Sequence, residues 1–237
     1  MNATNCVESR TVFIFYSRIF SFDGKSITVG GIQTYLVALA LGIKAFGWNS
    51  VLVQQADIDF ESEIRGVKVW GRKVSKRKGN LRPLFNRVEE KIRKGHDIIV
   101  WGHSEQAVSI SSINTISIQH GISFDINRER KKDRLIRSLG LGWLQKLGQR
   151  RLAVNAVPVA DQTVCVDYNF QNWYRTFSDR KNDSAISVIP NFTEIPEWPI
   201  IDQPLPSKIV FARRFSYERG TRIMVSAAEV LLNQYPH

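Results

Sequence analysis

The sequence predicts an α/β protein, a Rossmann-like parallel sheet with helices on both faces. Three observations predict it. TVFIFY, from Thr11 to Tyr16, is a short run of β-branched and aromatic residues with no turn residue inside, which reads as a buried strand. Beyond Gly31, residues Ile32, Tyr35, Leu36, Leu39 and Ile43 share one helix face, and Gly47 follows where a helix takes its left-handed C-cap. Short apolar strands then alternate with helical patterns along the chain, the arrangement of a parallel sheet covered on both faces.

Taken in order, the first strand runs into the loop SRIFSFDGKSITVGG. Gly30 and Gly31 fall where the helix begins, where the first amides have no partner and the dipole is positive. Without Cβ atoms the backbone there admits an anion or a sugar at close range, or simply makes a tight turn. The loop is not GxGxxG, so the dinucleotide fingerprint is missing. Strands are expected over 48–54 and 67–70, then a polar basic loop over 72–83. A helix is expected over 84–94, ended by Gly95. DIIVW (97–101) reads as a strand ending in Gly102 and His103, and 115–119 as another ending in His120 and Gly121. A basic helical region spans roughly 127–152, interrupted by Gly140, Gly142 and Gly148. A strand over 161–166, a helix over 169–177 and a strand over 185–189 complete the expected first domain, residues 1–192.

Pro196, Pro199, Pro204 and Pro206 then mark a linker, 193–207. KIVFAR opens a fresh strand at Lys208, and a helix follows from about Thr221 to Gln234. One strand and one helix cannot bury a core of their own. Residues 208–237 therefore read as the start of a second, incomplete domain, and the chain alone is expected to fold in its first domain without completing a reaction.

The formal net charge is +11. It is concentrated in two stretches. Arg65 to Lys94 carries twelve Lys/Arg against Glu89 and Glu90, and Arg128 to Arg151 carries nine against Glu129 and Asp133. The rest of the chain is net acidic. Solvated faces, a nucleic-acid surface and an anionic membrane surface are the three readings of such patches. Nucleic acid is not expected, because no recognition module or interleaved aromatic platform accompanies the charge. In the second stretch Leu135, Ile136, Leu139, Trp143, Leu144 and Leu147 accompany the cations, a composition suited to the headgroup layer. Cys6 and Cys165 make neither a disulfide framework nor a zinc pattern, and no Cys/His cluster has metal-ligand spacing, so neither metal nor cofactor is expected. The N-terminus lacks the basic start and apolar core of a signal peptide. The expected place is the cytoplasm, peripherally at the inner face of the plasma membrane if the third reading of the charge holds.

Four separated stretches, VGGIQTYLVALALGIKAFGWN, ISIQHGIS, ISVIPNFTE and KIVFARRFSYERGT, together resemble glycosyltransferase family 4, the retaining enzymes of GT-B fold. The resemblance runs from Val12 to the C-terminus in order and approximate spacing. Gln33 stands where the family usually has Glu, Phe192 replaces the Gly after Pro-Asn, and Ala212 and Arg219 replace the Gly and Lys of the second-domain motif. The resemblance implies transfer of a sugar from a nucleotide-sugar donor to a glycan or lipid-linked acceptor, as in bacterial surface polysaccharide synthesis. It implies that His120 contacts the transferred sugar, that Gly30 and Gly31 lie at the donor, and that Arg213 and Arg219 bind its phosphates. Arginines suit that task, because negative charge grows on the leaving diphosphate. A GT-B sugar-nucleotide epimerase, or a basic nucleic-acid-binding or inactive interaction domain, are the alternatives. Asp57-Ile58-Asp59 looks like a metal-binding DxD triplet, but none of these motifs needs it.

Overall fold

The computed structural model describes residues 9–28, 30–75, 79–122, 124, 136, 138–176, 185–191 and 220–235. The chain divides into two compact units, one of residues 1–122 and 143–192, the other of 123–142 and 193–237. The first contains the whole described sheet. Its strands are β1 (Thr11–Tyr16), β2 (Asn49–Ala56), β3 (Phe60–Ile64), β4 (Val67–Lys73), β5 (Ile98–Trp101), β6 (Asn114–Gln119), β7 (Gln162–Cys165) and β8 (Ile186–Val188), and they lie in the order β3-β4-β2-β1-β5-β6-β7-β8. All neighbouring pairs are parallel except β3 with β4.

The chain thus builds outward from β1 in one direction and then, from β5, in the other. The strand order reverses between β1 and β5, and in open α/β sheets the carboxyl ends of the strands at that reversal form the ligand crevice.

Alternation along the central strand sorts the core. Val12 and Ile14 face α1 (Gly31–Ala45), which buries Tyr35, Leu36, Val37 and Ala40 against them. Phe13 and Phe15 face the opposite way, onto Leu84, Phe85, Val88 and Ile92. The helix α1 ends as its sequence predicts. Gly47 has φ +83, its N–H donates to Lys44 O at 2.9 Å, and Trp48 N–H donates to Ile43 O at 3.3 Å. Those paired bonds satisfy the last carbonyls of the helix.

Two expectations are corrected. The segment 84–94 is not one helix. It is α2 (Arg82–Phe85), then a turn of 3₁₀ helix at Glu89–Lys91. The chain closes each turn with a tight bond three residues back, Val88 N–H to Phe85 O and Ile92 N–H to Glu89 O at 3.0 Å or less. A tightened, interrupted ribbon lets Leu84, Phe85, Val88 and Ile92 all reach the same sheet face. Nor is the sheet wholly parallel, because FESEI forms β3, an antiparallel edge strand.

Beyond the sheet core, α3 (Gly142–Ala156) buries Ala153 and Ala156. The helix α4 (Tyr168–Arg175) packs on β7 and β8, capped by Asp167, whose carboxylate accepts the N–H groups of Asn169 and Phe170. In the second unit α5 (Thr221–Gln234) forms where expected. The expected linker 193–207, the strand opening at Lys208 and, within the basic stretch 128–151, residues 128–135 and 137 lie outside the described residues.

Candidate functional site

The crevice at the carboxyl edge is assembled from loops whose backbone is held by buried glutamines. Gln54, fully buried at the end of β2, accepts the N–H groups of Ile19 and Phe20 and donates to the carbonyls of Phe20 and Gln55. It thereby fixes the loop between β1 and α1. Gln119, at the end of β6, accepts from the Ser104 hydroxyl and donates to Gly121 O at 3.1 Å. That pair clamps both sides of His120.

Gly102, the residue after β5, is where two elements touch. Its N–H donates to Phe15 O at 2.8 Å, and a Cβ there would lie 2.7 Å from Leu36 Cδ1 and 3.0 Å from Phe15 O. A side chain there would have to displace the Leu36 side chain and crowd the Phe15 carbonyl. The carbonyl of the same residue is 2.9 Å from His120 Nε2. A carbonyl only accepts, so Nε2 carries the proton and Nδ1 is left as the ring's acceptor. The Tyr35 ring stands edge-on to the imidazole, centroids 5.5 Å apart, and the His103 ring lies 6.1 Å away. Burial pushes the His120 pKa down to about 4, helped by the charge of His103 and opposed by the bond to Gly102. At neutral pH His120 is therefore an uncharged imidazole in a fixed orientation, able to accept a hydrogen bond at Nδ1 but not to supply a cation.

Gly30 and Gly31 lie at the start of the helix that also carries Tyr35, so the structure brings the glycine pair and His120 to the same edge of the sheet. Gly30 is the N-cap of α1, in extended conformation, and no side chain caps the helix. The open space around Gly31 is large enough that an added Cβ would meet nothing within 4 Å. Thr34 donates its hydroxyl back to Gly30 O at 3.1 Å, and Gln33 donates to Arg18 O at 3.1 Å. Gln33 thus ties the helix start to the preceding loop. A cleft of about 220 Å³ opens beside Gln33 and Thr34, floored by Ile19, Ile27 and Val37. Larger clefts lie away from His120, such as one of about 690 Å³ along the amino ends of β1, β2 and β4. The chemistry is better located by hydrogen bonding and register than by cleft size.

Arg213 and Arg219 lie outside the described residues. Asp59, in the DxD triplet, is engaged within the fold: it accepts the Lys73 N–H and pairs with Arg87 at 2.9 Å. Among the described residues no group of three His, Cys, Asp or Glu is placed to hold a metal ion. Cys165 is fully buried, and burial, with Asp167 nearby, pushes its thiol up to about 12, so it is no nucleophile.

Three contributors went unread in the sequence. Tyr35 read only as part of an apolar stripe, Gln54 as the end of a strand, and His103 as a strand terminator. His103 does cap a turn, its Nδ1 accepting the Glu105 N–H at 3.3 Å, yet its ring also neighbours His120. The available signal was the pairing of β5 with β6, which sets two strand-ending Gly/His dipeptides side by side.

No protein-family model matches the chain, and no curated protein matches it.

Proposed function

We propose that the chain is the acceptor-side part of a retaining glycosyltransferase of GT-B type, moving a sugar from a nucleotide donor to a glycan or lipid-linked acceptor. The single observation carrying this reading is the neutral His120 imidazole, fixed through Gly102 at the carboxyl edge beside the β1/β5 reversal. A sugar offers hydroxyl donors, and Nδ1 is an acceptor of the right polarity for one of them. A hydrogen bond that tightens as the anomeric carbon becomes cationic lowers the barrier without any proton transfer. The uncapped start of α1 at Gly30 and Gly31 supplies amides for a diphosphate or a sugar oxygen. Arg213 and Arg219 enter through the family resemblance alone, as the charges that take up the leaving diphosphate.

The test assays nucleotide release and sugar transfer by the polypeptide as its cell makes it, against a panel of nucleotide sugars, with His120 intact and as His120→Ala. The expected result is acceptor-dependent turnover that falls about tenfold to a hundredfold in the variant, while affinity for the bare nucleotide holds. Equal turnover by a correctly folded variant would remove His120 from the site. Nucleotide release that needs no acceptor would favour the epimerase.

A further inference from the structure

The N-cap of α4 uses only half of its carboxylate. Asp167 Oδ1 accepts the N–H groups of Asn169 at 3.0 Å and Phe170 at 3.3 Å, which is all that a cap requires. Serine or asparagine would serve the helix as well. The second oxygen, Oδ2, has no hydrogen-bond or ion-pair partner among the described residues. Its charge is felt locally, since Asp167 helps to push the Cys165 thiol up.

The sheet sets where that oxygen lies. Strands β6 and β7 are parallel neighbours with Gln119 opposite Cys165, and the Val166 N–H donates to Gln119 O at 3.1 Å. His120-Gly121 and Asp167 therefore emerge together at the carboxyl edge. Gly121 has φ +87, and a Cβ there would stand 3.0 Å from Asp167 Oδ2. The carboxylate thus reaches the residue next to His120 from the β7 side, while Gly102 holds the imidazole from the β5 side.

Polarity decides what two such groups can take. His120 Nδ1 and Asp167 Oδ2 both accept, so a ligand lying against both must bring donors. Negative charge on Oδ2 also repels a carboxylate or phosphate. Two hydroxyls of a neutral sugar ring meet both conditions, and a uronic acid fails the second.

We propose that Asp167 Oδ2 accepts a hydroxyl of the same sugar ring that His120 holds, and that its charge selects a neutral hexose over a uronic acid. The inference deepens the glycosyl-transfer reading and rests on it.

The experiment compares kcat/KM for UDP-glucose against UDP-glucuronate, and for GDP-mannose against GDP-mannuronate, in the polypeptide as its cell makes it. The parent is expected to prefer a neutral sugar by about tenfold or more, the worth of one hydrogen bond to a charged group. Asp167→Asn keeps an oxygen for the cap and sets an amide donor where Oδ2 stood. Asp167→Ser keeps the cap and removes the second oxygen. Both variants should keep a thermal midpoint near that of the parent, yet lose about tenfold in kcat/KM for the neutral donor and most of the preference over the uronate. A residue that only capped α4 would leave the preference where it was. An unchanged preference in both variants, with His120→Ala still slow, would overturn this inference and leave the glycosyl-transfer reading standing. A parent that favours the uronates would overturn it as well. Turnover of none of these donors by the parent would overturn both together.

Discussion

The two edges of the sheet treat their polar groups differently. At the amino edge the polar side chains are saturated by the fold itself. Asp97, 1% exposed and just before β5, accepts from Thr11 N–H at 3.0 Å and from the backbone and guanidinium of Arg93, with His96 alongside. Asp161, just before β7, accepts both the N–H and the hydroxyl of Thr115, and Thr115 Oγ1 in turn accepts the Asp161 N–H at 3.0 Å. At the carboxyl edge, Gln54 and Gln119 hold loops in place, but Gln55 Oε1, Trp101 Nε1 and Gln106 Oε1 are buried with no partner among the described residues. One edge spends its polar groups on closing the structure. The other leaves some unspent, which costs stability and is characteristic of an edge kept for another purpose.

The sharpest way to break this contrast is at Asp97. Burial opposes its ionisation, but the hydrogen bonds from Arg93, Thr11 and His96 outweigh that and hold the carboxyl at about 2. Asp97→Ala should cost about 3 kcal/mol, since it strands a guanidinium and several donors. Urea titration checks it. The stability that Asp97 supplies is fully present above its ordinary value of 3.8 and should be lost as pH falls through 2.

Gly102→Val tests the opposite edge sterically. Its side chain would strike Leu36 and the Phe15 carbonyl, and a loss of about 2 kcal/mol is expected in thermal unfolding. The same variant should displace the carbonyl that holds His120, so binding of any sugar ligand should weaken along with stability.

His120 gives a pH signature of its own. Its folded pKa lies below the ordinary value of 6.5, so the unfolded chain takes up a proton first as pH falls. Stability should therefore be unaffected above 6.5 and should decline between about 6.5 and 4. His120→Gln can still donate to Gly102 O but does not titrate, and it should flatten that interval while leaving the lower Asp97 slope intact. Melting temperatures across the pH range decide it.

The smallest expected effect has the opposite sign. Gln55→Met removes a buried acceptor that lacks a partner and keeps the volume, so it should be neutral or should stabilise by up to about 1 kcal/mol. A substantial loss of stability would show that the carboxyl edge is as fully satisfied as the amino edge, and the contrast would fall.

Much of the sheet was legible because its central strands carry apolar runs, VFIFY in β1, VLV in β2 and IIVW in β5, the last closed by Gly102 and His103. The helix α1 was legible because its stripe and its C-terminal glycine agree. The segment 84–94 misled because Leu84, Val88 and Ile92 have helical spacing, while their common burial on one sheet face is equally served by tight separate turns. The strand β3 was overlooked because its two glutamates read as a polar loop. The structure shows what the sequence hid: half-buried Phe60, Ser62 and Ile64 alternate with exposed Glu61 and Glu63, and the Arg65-Gly66 pair that follows has φ +53 and +80, the two-residue turn of a tight hairpin. For the site, His120 and the glycine pair could be proposed from their places at the ends of elements. Tyr35, His103 and Gln54 could not, because their part depends on which strands become neighbours, and strand order is a property of the whole chain.

That hairpin also governs how the sheet ends. A bare parallel edge at β4 would offer a row of unpaired amides and carbonyls as a template on which another chain could add a strand. Instead β3 folds back over it and becomes the boundary, with Glu61 and Glu63 on its exposed positions and Arg72 drawn to Glu61 across the pair. An incoming strand would have to lie against two carboxylates and compete with an existing ion pair, so the edge discourages recruitment and fibre growth from that side.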